Sequence, residues 1–213
     1  MSQLQKYGGL AAISEALIYL TLFVIYGAIL QFPSGESATA QMQFLSGNQT
    51  LITFSNVLGY VIFGFLLSVL TLALYKRLKP HAHSLAQLSA VFGFIWVAII
   101  IASGMIANVG LDKALANADP TQGYELWRFV SVIAEGLGGG NEIVGGVWVL
   151  LLSFAGMKDP NFSRPVIWLG FLVGTAGVLT IYPTEVIKIV FGLSQIVWFI
   201  WLGVSMLRNK RSV

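Results

Sequence analysis

The sequence predicts an all-α polytopic membrane protein: a bundle of six transmembrane helices, with an extra outer amphipathic or re-entrant helix before the fourth span. Three observations carry this prediction. Of the 213 residues, 56% are hydrophobic and only 10% charged, against roughly 25% charged in soluble domains. Mean hydropathy is +0.80. Long apolar runs recur, most of them close to the 20 or so residues that cover a hydrocarbon core of about 30 Å. No polar stretch is long enough to fold alone, so residues 1–213 are expected to form one membrane domain.

The runs fall at 10–30, 51–75, 85–109, 140–157, 165–182 and 186–207. The first follows a short polar lead. Its competing reading is a signal peptide with an Ala-x-Ala site at Ala38-Thr39-Ala40, but that site lies well beyond the run's end and the run is long for such a segment. Residues 31–50 read as a loop. Cations and Pro80 stop the second run at Lys76-Arg77-Leu78-Lys79-Pro80. Small residues in the third (Ser89, Gly93, Ser103, Gly104) permit close helix packing.

Asp119-Pro120-Thr121-Gln122 marks a helix start, with Asp as N-cap and Pro in the first turn. The apolar signal from there extends to Met157, about 50 Å as a helix and too long for one straight span. The glycines between Gly136 and Gly146 are the natural break, leaving 120–135 as an interfacial or re-entrant helix. Gly170-x-x-x-Gly174 offers a close-packing face, either inside the bundle or to a second copy in a homo-oligomer.

Six spans put both termini on one side. Nine of the twelve cations fall there (Lys6, Lys76, Arg77, Lys79, Lys158, Arg164, Arg208, Lys210, Arg211), leaving Lys113, Arg128 and Lys188 opposite. The positive-inside rule makes the richer side cytoplasmic. The net charge of +3 therefore encodes topology, not a nucleic-acid surface. Three return spans carry an amide (Asn56, Asn141, Gln195) and end on a cation, a weak internal repeat that any six-span chain could show by chance.

Candidate functional residues centre on Glu135-Gly136-Leu137-Gly138-Gly139-Gly140-Asn141-Glu142. Acids in an apolar span are costly and often mark solute or proton paths, and broken helices often build the site itself. Glu142, Glu135 and Asn141, with Arg128, Glu185, Lys188 and Asn108 near the same end, are expected to form an outward polar pocket for a cation or polar solute. The structural alternative pairs Glu135 with Arg128 and Glu185 with Lys188. Glu15 lies about 13 Å into the first helix, where an unpaired carboxylate costs roughly 2.5–3.5 kcal/mol on insertion scales. It should bond a Ser, Tyr or backbone group, with Ser14 or Tyr19 nearest, or be protonated. Gln195 is the polar residue of the last span. Together with the Glu135–Glu142 cluster, Glu15 would complete a proton or cation path.

The chain has no cysteine, no histidine within a span and no Ser/His/Asp set, so no catalytic residue, metal site or cofactor is expected. His81-x-His83 sits in a basic loop, a weak setting for metal. The tryptophans Trp96, Trp148, Trp168, Trp198 and Trp201 suit core and interface anchoring.

The Gly138-Gly139-Gly140-Asn141-Glu142 run, Gly145-Gly146-Val147-Trp148-Val149-Leu150-Leu151-Leu152, Phe191-Gly192 and Trp198-x-x-Trp201 resemble a bacterial family of small six-span integral membrane proteins catalogued as a domain of unknown function. The resemblance implies an inner-membrane location and six helices, and supplies no activity. From the residues, two functions stand open: a small transporter or channel for a cation, proton or small polar solute, or a non-transporting module that binds a lipid, small ligand or partner protein.

Overall fold

A computed structural model of the chain describes residues 3–139, 142–182 and 184–208, and every regular element among them is helical. α1 (Gln3–Val24) passes into a π-helical stretch, Ile25–Ile29. α2 (Ala38–Gly47) precedes a continuous rod made of α3 (Gln49–Asn56), a second π stretch (Val57–Ile62) and α4 (Phe63–Leu78). α5 (His83–Leu115) follows, then α6 (Pro120–Ala134), which ends in a third π stretch, Glu135–Gly139. Beyond the break come α7 (Ile143–Gly156), α8 (Arg164–Leu179) and α9 (Glu185–Arg208).

Five helices are long and apolar enough to cross a membrane: Gln3–Ile29, Gln49–Leu78, His83–Leu115, Pro120–Gly156 and Val186–Arg208. α8 is apolar but has only 16 residues. Large apolar side chains face outward all round, among them Leu17, Phe65, Val91, Trp168, Leu172 and Val197. Water would not tolerate so continuous an apolar girdle, whereas lipid would.

Six helices close a ring in chain order. α1 packs on the α4 rod, α4 on α5, α5 on α7, α7 on α8, α8 on α9, and α9 returns to α1. Every neighbouring pair is antiparallel. Gly8 meets Ala73 while Gly59 meets Leu22, and Gly9 meets Leu207 while Gly192 meets Phe23. The same reversal relates Gly64–Ile101 and Gly93–Thr71, Gly145–Trp96 and Gly93–Trp148, and Gly146–Gly177 and Gly170–Ser153. On α8 and α9, Gly177 meets Phe191 and Val166 meets Trp198. The Gly170/Gly174 face is thus spent inside the protein, against α7. At Gly146 a Cβ would stand 2.7 Å from the Gly174 carbonyl oxygen, so only glycine permits this approach.

Aromatic rings fill the axis of the ring. Phe63, Trp96, Trp148, Trp198 and Phe199 are all buried and meet edge-on or tilted, with centroids 5.4–6.0 Å apart along the chain of contacts. Such pairs add to the burial of their large apolar area. The tryptophan reading divides accordingly: Trp96, Trp148 and Trp198 are core, whereas Trp168 and Trp201 face outward.

Two expectations need correction. The supposed loop at 31–50 contains α2, capped by Ser37, whose Oγ accepts from the Ala40 amide at 3.3 Å. Its mixed polar surface hid it from a search for spans. The helices also overrun their apolar runs: α1 begins at Gln3, and the 33 residues of α5 rise about 50 Å, well beyond a hydrocarbon core. The expected helix before the fourth span is present as α6, which runs antiparallel along the far half of α5. Gly123 lies against Ala114, Gly110 against Val130, and Ser103 Oγ donates to the Ala134 carbonyl at 2.6 Å. The Asp119 cap holds as expected, accepting from the Thr121 amide at 2.9 Å.

These overruns build a second, smaller core at one end, from Ile25, Leu30, Met42, Leu45, Ile52, Leu111 and Ala114, with Tyr124 and Trp127 packed on it. This end is called the cap. At the opposite end Arg77 and Asp159 form a buried ion pair at 3.2 Å. Arg77 also donates to the Asn161 carbonyl at 2.9 Å and stands 4.6 Å over the Phe162 ring. Asp159 in turn accepts from the Asn161 amide and has His81 at 3.7 Å. The pair ties the α4–α5 turn to the α7–α8 turn.

Two sets of substitutions test this architecture by thermal unfolding in detergent. Gly146→Val should destabilise by about 1–3 kcal/mol through overpacking, while Gly47→Ala, where nothing lies within 4 Å, should change stability by about 1 kcal/mol or less. Asp159→Ala should cost about 3–5 kcal/mol by removing the carboxylate that neutralises the buried Arg77. Asp112→Ala, which removes an exposed partner of Lys113, should cost under about 1 kcal/mol.

Candidate functional site

The three π stretches lie at the cap end and surround one cavity of about 660 Å³. A π turn widens the helix by one residue, weakens its hydrogen-bond ladder and frequently accompanies a functional site. Here the first contributes Tyr26 and Gly27, the second Gly59 and Tyr60, and the third Glu135 and Gly138. Gly138 has φ +148°, a conformation that side-chain-bearing residues rarely adopt, and this turns the chain from α6 toward α7. Tyr19, Phe23 and Phe63 supply further wall, and α6 roofs the cavity with Trp127 and Ser131.

Glu142 lines the cavity where the ring begins. It is nearly buried, and its Oε2 accepts from Trp96 Nε1–H at 3.1 Å. Its Oε1 accepts no hydrogen bond from a described residue. The backbone beneath it is pinned: the Glu142 amide donates to Thr180 Oγ1 at 2.8 Å, and that hydroxyl donates to the Gly177 carbonyl at 2.7 Å. The chain thus restarts at α7 with its carboxylate aimed at the cavity and its main chain anchored on α8.

Glu135 also lines the cavity, with its side chain about half exposed. Its partner is Lys188 of α9, not Arg128 as the helical spacing suggested. Arg128 lies on the exposed face of α6 and makes no ion pair among the described residues. Glu135 continues the α6 backbone, with its amide bonded to the Ser131 carbonyl, but it lies beside α9, whose Lys188 reaches it while Arg128 points to the exposed side. Asn108 pairs with Asn56 rather than with either acid, Asn56 Nδ2 donating to Asn108 Oδ1 at 2.8 Å. Asn141 lies outside the described residues, as does the Glu185 side chain.

Glu15 and Gln195 do not reach the cavity. Both are fully buried in the ring, and none of their side-chain oxygens or nitrogens finds a hydrogen-bond partner among the described residues. The expected bond from Ser14, Tyr19 or the backbone to Glu15 is not formed. Tyr19, one helical turn from Glu15, does face the cavity. The structure therefore brings Glu135 and Glu142 together, places Glu15 and Gln195 deeper in the ring, and leaves Arg128 outside.

Sequence reasoning missed the aromatic wall. Tyr19 and Tyr26 are seven residues apart, two turns on one face, and Tyr60 lies mid-run. Tyrosines well inside apolar runs were the available signal.

No protein-family model, curated protein or solved structure matches this chain.

The chain's lack of cysteine makes the cavity directly testable. Cysteine placed at Ser131 should react with a membrane-impermeant thiol reagent, and cysteine at Gln195 should stay unreacted until the protein is unfolded. Equal rates at both positions would contradict the division between cavity and packed ring.

Proposed function

We propose that this chain is a six-span bacterial inner-membrane protein with both termini cytoplasmic, and that it acts as a small transporter or channel. Its cargo would be a cation, a proton or a small polar solute, entering through the cap-end cavity. The observation that carries this reading is the Glu142 carboxylate at the inner end of a cavity of about 660 Å³, with one oxygen that accepts no hydrogen bond among the described residues. The cation distribution supports an outward-facing cap, and the likeness to a six-span bacterial family supports the location. In this reading α8 is the fifth span, and α6 with the Glu135–Gly139 turn is the extra outer helix.

The aromatic plug below Glu142 favours the transporter over an open channel. A solute would leave the cavity inward only after Phe63, Trp96 and their neighbours moved. Glu15 and Gln195, beyond the cavity wall, would then be the next polar groups met. No catalytic residue is assigned.

The same plug favours a second reading, a non-transporting module in which the cavity binds a lipid, small ligand or partner segment. Purified protein in liposomes separates the two. Flux of protons or monovalent cations above empty vesicles, lost in Glu142→Gln, is expected for the transporter. Absence of flux, with a ligand that still raises thermal stability, would select the module. At a hundredfold its dissociation constant such a ligand adds about 2.7 kcal/mol.

A further inference from the structure

Resting on the cavity as the binding site, we propose that its ligand is a monovalent organic cation: an ammonium or phosphonium head carried on an apolar body. The sign of the charge follows from the lining. Among the described residues that line the cavity, none is Lys, Arg or His, and two are glutamates. Glu135 is engaged by Lys188 at the mouth, which leaves Glu142 as the acid able to receive a positive guest. An anion, or a lipid headgroup with net negative charge, would meet Glu142 with nothing to offset it.

The organic character follows from what else is there. A bare Na⁺, Ca²⁺ or Mg²⁺ needs a shell of several oxygens to replace its water. With Glu135 held by Lys188, Glu142 is the one carboxylate open to a guest, and the other lining side-chain oxygens are neutral: the tyrosine hydroxyls, the Asn56 amide, whose Nδ2–H donates to Asn108, and the Ser55 and Ser131 hydroxyls, which donate to the Leu51 and Trp127 carbonyls at 2.8 Å each. The rest of the wall is aromatic: Tyr19, Tyr26, Tyr60, Phe63 and Trp127. Aromatic faces attract a cation through the ring quadrupole and hold it best when water is displaced. A weakly hydrated onium ion suits that wall, and a strongly hydrated metal ion does not. The size agrees as well, since 660 Å³ lies within the roughly 300–1,000 Å³ of sites that hold drug-sized molecules.

Trp127 in the roof provides a direct optical readout. The probe is methyltriphenylphosphonium, with the neutral triphenylphosphine oxide as its shape control, titrated into the full chain in detergent and followed by tryptophan fluorescence and thermal shift. Saturable binding of the cation is expected. Glu142→Gln should weaken it about 30-fold or more, as when one partner of a buried charge pair is removed, and should leave the neutral oxide unaffected. Tyr60→Leu, which keeps the carboxylate and removes an aromatic face, should weaken the cation selectively and serves if Glu142→Gln does not fold.

Equal binding of cation and oxide, or binding indifferent to both substitutions, would overturn the proposal. If Na⁺, K⁺ or protons stabilise the protein through Glu142 and the onium ion does not bind, the cavity stands and the ligand class is wrong. If nothing that binds depends on Glu142, the site itself is refuted along with the class. Displacement of the phosphonium by added phosphatidylethanolamine would keep the ammonium chemistry and identify a lipid headgroup as its source. Indifference to that lipid would identify a free solute.

Discussion

The indole of Trp96 joins the two halves of this molecule. On one side it belongs to the aromatic stack that fills the axis of the ring, touching Phe63 and Trp148. On the other its N–H is the donor to Glu142. Six antiparallel helices arranged in a ring leave an axial space that two-helix contacts alone cannot fill. Large, rigid rings fill it with few rotamers to lose. The place where this filling stops is the place where the cavity starts, and Trp96 stands at that boundary. The same residue therefore ends the core and presents the acid.

Above that boundary the helices give up regularity together. Each of three rods takes a π turn at the same level, and the third also breaks at Gly138. A single such turn could be a local accident of packing. Three around one volume are a shared adaptation: widening the backbone moves side chains outward and keeps the small second core of the cap from closing onto the main core. Glycines cooperate in opposite ways. Below the boundary Gly146 lets α7 and α8 touch backbone to backbone, while above it Gly27 and Gly136 face open space. The cap is not loose throughout, since Gly59 and Gly110 meet Leu22 and Val130 closely; the slack is local to Gly27 and Gly136.

The class of this protein was legible in composition and run length, and the helix break was legible in a glycine cluster flanked by acids. Both signals are local, so a single chain carries them. The tertiary partners were not legible. Spacing put Arg128 under Glu135, yet that carboxylate pairs with Lys188 on α9, fifty-three residues away, a partner that only the packing of α9 supplies. Arg77 read as one more topology cation, yet with Asp159 it forms the ion pair that clamps two turns together. The amphipathic α2 escaped notice because a search for spans rewards uniform apolarity, and this helix buries only Gln41, Met42 and Leu45 against the cap. Helix lengths were underestimated for a related reason: apolar runs measure what lipid covers, and α5 continues past it to build the cap.

Glu15 and Gln195 bear on what the ring is for. A bundle selected only for packing would carry leucine at both positions, since an unmet polar group in a dry interior costs more than the methyl groups that could replace it. Both side chains sit on inward faces, on α1 and α9, which pack against each other and close the ring between its first and last helices. Neither lines the cavity, and Glu15 stands one helical turn before Tyr19, which does. In the transporter reading, a guest passing Trp96 and Phe63 would meet these groups at the α1–α9 closure. That seam is itself tightly packed: a Cβ at Gly203 would stand 2.7 Å from the Gly9 carbonyl oxygen, as one at Gly146 would from that of Gly174, so the two polar groups are held within a closed joint.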